Sequence, residues 1–362
     1  MTASTIDWAA IDKALRLQQP IEKQSFAGVD ARGRSFSGAV FSAVDFQGAL
    51  LAGADFSGAR FIQCDLTKVD FTQAKLGKTS FIKCAASGAQ FPAGPLNLLN
   101  FIECDLQGSV WCKAQLEMCS FANSPLNRSV MQAVKLERSV INGCTLAGAQ
   151  WQDLLLDQTA LNDVDLRGVT FIGLRAERAV LMQANLSGMA LAGVSLRQCV
   201  LQQSDFTQTD LSGADLSESN CHAAIFHGTR MAGLVATNAM FFKADLVGLD
   251  LRNTKLDGAI FKQATVSGCR FDGASLPQSI WHDAVLNNVS FAGADLRYSQ
   301  FDHARGSDVS FDLAKLDHAS LHDLVLDNAT FKGVRQSTVR PTDPFKLAAQ
   351  QRSRAATTTE TS

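Results

Sequence analysis

The chain has 362 residues, 46% hydrophobic and 19% charged, with a formal net charge of −2. That balance excludes an intrinsically disordered or polyelectrolyte chain and any broad basic surface for nucleic acid or anionic lipid. No apolar run approaches the ~18 residues of a membrane-spanning helix, so no membrane partner is expected.

Residues 1–23 form an N-terminal segment. It has neither a basic leader nor an apolar stretch, so no signal peptide is expected. Ile6, Trp8, Ile11 and Leu15 recur at helical spacing. They predict a short helix over 5–18, with Thr5 or Asp7 as N-cap. Its role would be to cover the open edge of the repeat that begins at residue 24.

Residues 24–333 carry a five-residue period. Stepping by five from Phe26 to Phe331 gives 62 centre positions, of which 56 are Leu, Phe, Ile, Met, Val or Trp. The exceptions are Ala31, Ala86, Ala176, Cys221, Ala236 and Gly306, and the phase never slips. Two residues before the centre, 53 of the 62 side chains are small. Leu174 and Leu234 break that rule, yet each precedes an Ala centre (Ala176, Ala236), so large and small trade places within one unit. A volume-limited core requires such an exchange. Two residues after the centre stand 23 of the 26 glycines, which marks a corner. Units such as ADFSG (54–58), ADLSE (214–218) and ADLVG (244–248) are typical.

This A(D/N)LxX pattern resembles the pentapeptide-repeat family. The resemblance implies an all-β, right-handed quadrilateral parallel β-helix of about 15 coils, with four five-residue units per coil. The aromatic centres support that coil length independently. All 24 have another aromatic centre four units away, as in Phe41 through Phe121 and Phe241 through Phe301. Stacked rings are therefore expected, in a rod of roughly 70–75 Å at ~4.8 Å per coil. With centres and small residues turned inward, the interior should be solid, with no lumen for a ligand.

Residues 334–362 form a C-terminal segment with Pro341, Pro344 and a TTTETS ending. The ending is expected to be disordered, and Phe345 and Leu347 to lie over the last coil or against a partner.

Chemistry-bearing constellations are few. Seven of nine cysteines (Cys64, Cys84, Cys104, Cys119, Cys144, Cys199, Cys269) occupy the small inward position and read as buried apolar residues. Reduced thiols fit a cytoplasmic location. Cys221 and His222 adjoin, but one should point in and the other out, so they cannot form a dyad. No nucleophile elbow, phosphate loop or dinucleotide fingerprint occurs. No catalytic residue, cofactor or metal is assigned, and the chain is read as non-enzymatic.

Two surface features remain. His282-Asp283, Asp302-His303 and His322-Asp323 recur at intervals of one coil, a checkerboard of imidazole and carboxylate. It reads as favourable cross-strand stacking, or as a divalent-metal or pH-sensitive patch. Val140, Val180, Val200, Met240, Ile260 and Ile280 precede centres on the same face, and Ile82, Ile102, Met182 and Phe242 follow them. They predict one long outward apolar stripe, explained by β-propensity or by a protein-binding face.

A non-enzymatic protein-binding scaffold or adaptor is the favoured function, with another protein as partner, no nucleic acid, and a homodimer through a coil end as a further option. Resemblance to pentapeptide proteins of this size implies an association with type VI secretion accessory proteins of Gram-negative bacteria. The alternative is the DNA-mimicking, topoisomerase-binding role of the quinolone-resistance members. That role needs dense negative charge, about 40 phosphate equivalents over such a rod. The most acidic face here sums only to about −4, and Lys75–Lys78 and Arg175–Arg178 interrupt it.

Overall fold

A computed structural model describes residues 6–359, and side chains as far as residue 352. The architecture is a right-handed quadrilateral parallel β-helix of about fifteen coils with few helices. The chain divides into two compact units, residues 1–185 and 186–362.

In the first unit a parallel sheet runs through short strands at 21–22, 40–42, 60–62, 80–82, 100–102, 120–122, 140–142 and 160–162. Each strand pairs with its counterpart four pentapeptides on: Phe41 faces Phe61, and Phe61 faces Phe81. Two further faces repeat that register, with Met131 opposite Trp151 and Leu136 opposite Leu156. The second unit has one sheet of six strands from Ile225–His227 to Val325–Asp327, again one strand per coil. Isolated parallel bridges such as Ser195–Asp215 and Ile260–Ile280 carry its other faces in the same register.

The corner explains the sequence period. The residue two after the centre sits at φ near +50 to +70° in almost every unit. That left-handed region admits glycine freely and excludes β-branched side chains. None of the 62 such positions holds Val, Ile or Thr.

The core is built as the pattern requires. Centres and small residues are buried, including Leu174 and Ala176, and Leu234 and Ala236. Phe41, Phe61, Phe81, Phe101 and Phe121 stack with centroids 4.7–5.1 Å apart. Ser109 and Ser279, in the small position, accept the indole N–H of Trp111 and Trp281 at 2.9 Å. One ring pair departs from stacking: Trp151 and Phe171 meet edge-on at 69°.

Gly306, the one centre without a side chain, has φ +152°, and a Cβ there would overlap the Leu286 carbonyl oxygen. The two backbones approach where a side chain would otherwise stand.

At the start, α1 (Trp8–Arg16) begins at Asp7, whose carboxylate accepts the Ala10 N–H at 3.1 Å. Thr5, the other expected cap, lies outside the described residues. Ile11 is buried, Trp8 meets Phe26 edge-on at 6.0 Å, and Arg34 lies over the Trp8 ring while pairing with Asp12. The helix thus covers the first coil.

The C-terminal segment departs from expectation. An α-helix, α2, runs over Pro344–Thr359, and the last part of the ending expected to be disordered, residues 360–362, lies outside the described residues. Asp343 caps it, accepting from the N–H groups of Phe345 and Lys346 at 2.9 and 3.1 Å. Pro344 is the first helical residue, where its missing N–H costs nothing. Leu347 is half-buried, but Phe345 is 86% exposed and does not cover the coil.

Candidate functional site: one outward face and the coil end

The centre-flanking residues at 140, 160, 180 and at 200 through 280 project outward because each adjoins an inward centre. In the first unit Val140, Ala160 and Val180 form one ladder, with Val140 37% and Met182 44% exposed. In the second, Val200 pairs with Asn220, and Met240, Ile260 and Ile280 follow as an unbroken apolar ladder that ends at Gln300. The expected single stripe is therefore broken. Ala160 narrows the apolar surface to a methyl group, and the Asn220 amide interrupts it. Met240 is 37% exposed, and Ile260 and Ile280 are half-buried.

Phe242 extends this ladder sideways. Its half-buried ring stacks on His222 (5.1 Å, 17°), and Lys243 Nζ lies 5.3 Å from its centroid. The face thus offers aliphatic, aromatic and cationic groups together. Cys221 is fully buried while His222 faces out, which separates thiol from imidazole. Burial pushes the Cys221 thiol upward, and it raises the Cys119 and Cys269 thiols to about 11. Buried thiols held protonated are poor nucleophiles.

The histidine–aspartate rows lie farther along the same face, and the structure corrects their expected arrangement. One pair of the checkerboard forms: His303 Nδ1 meets Asp323 Oδ2 at 2.9 Å, with Arg305 on the same oxygen. His303, then Arg305, hold the Asp323 carboxyl below its ordinary value. Asp302 bonds instead to the Ser320 hydroxyl (2.5 Å) and Lys346 Nζ (3.1 Å). Burial would raise its carboxyl, but these donors outweigh burial and lower it. His322 is 2% exposed, because residues 342–350 cover it. The rows are thus a dock for the C-terminal segment rather than an open patch. Asp283 has its backbone N–H on the Asp302 carbonyl, and His282 Nε2 is buried with no hydrogen-bond partner among the described residues. No group of three His, Cys, Asp or Glu among the described residues is placed to hold a metal.

The sequence reading missed this covering helix. The Asp343-Pro344 pair followed by strong helix formers (Lys346, Leu347, Ala348, Ala349) was the available signal.

The end of the second unit carries a further feature. An open cavity of about 540 Å³ is lined by Leu321, Leu324, Leu326, Phe331, Val339 and Pro341. These side chains are half-buried or exposed, where their counterparts in earlier coils are fully buried.

Elsewhere the surface charge is locally cancelled. Asp30–Arg32, Asp165–Arg167, Asp250–Arg252 and Asp295–Arg297 pair within single corners at 2.6–2.7 Å. Arg32 holds the exposed Asp30 carboxyl down to about 2. No helix among the described residues is long and apolar enough to cross a membrane.

Two family models match. One, for a pentapeptide repeat region, covers residues 54–129; the other, for pentapeptide repeats in eight copies, covers 25–61, 159–198, 195–233, 237–273 and 269–305. Together they span more than half of the chain. No curated protein matches. Similar solved structures include full-length QnrB1, a plasmid-mediated fluoroquinolone resistance protein, at 14% identity, 66% of this chain, 98% of that chain and TM-score 0.29. HetL, a pentapeptide repeat protein involved in heterocyst differentiation regulation from the cyanobacterium Nostoc sp. strain PCC 7120, matches at 17% identity, 87% of this chain, 97% of that chain and TM-score 0.16.

Proposed function

The chain belongs to the pentapeptide repeat family, and from that premise we propose that it is a non-catalytic scaffold that holds another protein. The contact surface is the outward ladder Met240–Ile260–Ile280 with Phe242 beside it. One observation supports this reading: three consecutive coils present aliphatic side chains outward in register, flanked by an aromatic ring and a cation. Contiguous exposed apolar surface of this kind favours a protein partner, and an aromatic ring with a nearby cation is a typical anchor. Type VI secretion is the finer form of this role, in which the partner is a secreted effector or spike component.

Replacing Met240 and Phe242 by Asp tests the reading. The doubly substituted chain should keep its fold, because both side chains lie outside the core, and should lose partner capture by at least about tenfold. Undiminished capture would rule this face out as the contact surface.

The C-terminal cavity supports a second contact, in which another copy of the chain covers Leu324, Leu326 and Phe331. Unburied apolar surface at a solenoid end favours a cap. Imitation of DNA is disfavoured, because corner arginines neutralise the aspartates that would stand in for phosphates.

A further inference from the structure

The buried histidine of the C-terminal dock has a defined protonation state. The backbone N–H of Asp343 donates to His322 Nδ1 at 3.2 Å. Nδ1 therefore carries no proton, and the ring's single hydrogen is on Nε2, which donates to Gln350 Oε1 at 3.0 Å. Both contacts lie in the segment that begins α2, one at its cap and one two turns along. A second proton on the ring would sit at Nδ1 and face the Asp343 N–H, donor against donor.

We infer that His322 is a pH-sensitive latch: its neutral ring holds the N-terminal half of α2 on the second unit, and its protonation releases that helix.

Charged and titratable groups face His322 from the neighbouring coil and from the covering segment. From the preceding coil, the His303 ring lies 5.3 Å from His322, and its Nδ1 is engaged by Asp323. Asp323 is further held by Arg305, and its backbone N–H reaches Thr342 Oγ1 at 3.0 Å. Asp302 is paired with Lys346. From the covering segment come Asp343, Lys346 and Gln350. The carboxyls of Asp302 and Asp323 lie below their ordinary values, so both stay ionised across the pH range of the test below. The rest of the contact is thin, since only Leu347 and Gln350 of residues 344–352 are half-buried. Protonation at Nδ1 sets two donors against each other where Asp343 N–H was bonded, and so removes a large part of the hold, while Nε2–H still donates to Gln350. The released form binds one more proton than the docked form, so docking weakens as pH falls. Release uncovers Asp302 and His322 on the face that carries Ile260 and Ile280.

The test is backbone hydrogen exchange on the full-length chain between about pH 7.5 and 5, corrected for the intrinsic pH dependence of amide exchange. Protection in α2 should fall about tenfold per pH unit below the imidazole range, while strands 225–310 keep theirs. His322→Gln offers a carbonyl and an amide but no titrating ring, and should abolish the pH step. Should that variant disorder the last coil, His303→Gln still decides, because it leaves the His322 contacts in place and should keep the step. A wild-type helix whose protection is flat with pH overturns the inference. So does a step that survives in His322→Gln, or one that disappears in His303→Gln.

Discussion

Phe81 is the sharpest place to test the core. It is fully buried at the middle of a five-ring stack, 5.0 Å from Phe61 and 4.7 Å from Phe101 with planes within 9°. Phe71 and Phe91 meet it edge-on at 6.2 and 6.4 Å. Truncation to Ala removes the ring's burial and leaves a hole that stacked coils cannot close, which costs about 3–5 kcal/mol. The two lost stacking pairs add roughly 0.5–1.5 kcal/mol each. The first unit should then melt roughly 8–30 °C lower, given ~2–4 °C per kcal/mol for a body of this size. Leu98→Ala, at a 43% exposed corner, should change stability by less than about 0.5 kcal/mol. Thermal melts followed by far-ultraviolet circular dichroism make the comparison. A Phe81→Ala loss below ~1 kcal/mol would be incompatible with a close-packed core of one ring per coil.

Three other outcomes follow from the same geometry. Gly306→Ala should cost at least ~3 kcal/mol, because its Cβ would overlap the Leu286 oxygen, whereas Gly28→Ala, with open space around its Cβ, should cost about 1–2 kcal/mol; urea midpoints separate them. Light scattering after size exclusion should show a dimer that becomes monomeric on Leu324→Glu with Leu326→Glu. A gyrase supercoiling assay should show no inhibition by the protein, and strong inhibition would restore the DNA-mimic reading.

The fold was legible because each position in the five-residue unit has one physical job. A centre must fill the interior, a small residue must let it fit, and a corner residue must accept a positive φ. Even exceptions such as Leu174 with Ala176 could be read as volume exchange. Gly306 could be flagged but not explained, since the nearness of the Leu286 carbonyl is a fact of the folded backbone. The surface was less legible. The outward position of Met240 and Ile260 follows from register, but the break at Asn220 matters only once its neighbours in space are known. His322 was misplaced as an open surface residue for a different reason. Its cover comes from a segment outside the repeat, whose docking the period does not encode.

The most direct measurement of the binding role is site-specific photo-crosslinking in native lysate. A photoreactive residue at position 260 places the probe within the apolar ladder, and one at 270 places it on the opposite face of the same coil. A discrete adduct of one protein is expected from position 260 and none from 270. Adducts from 270 alone, or equal labelling from both, would overturn the assignment of this face.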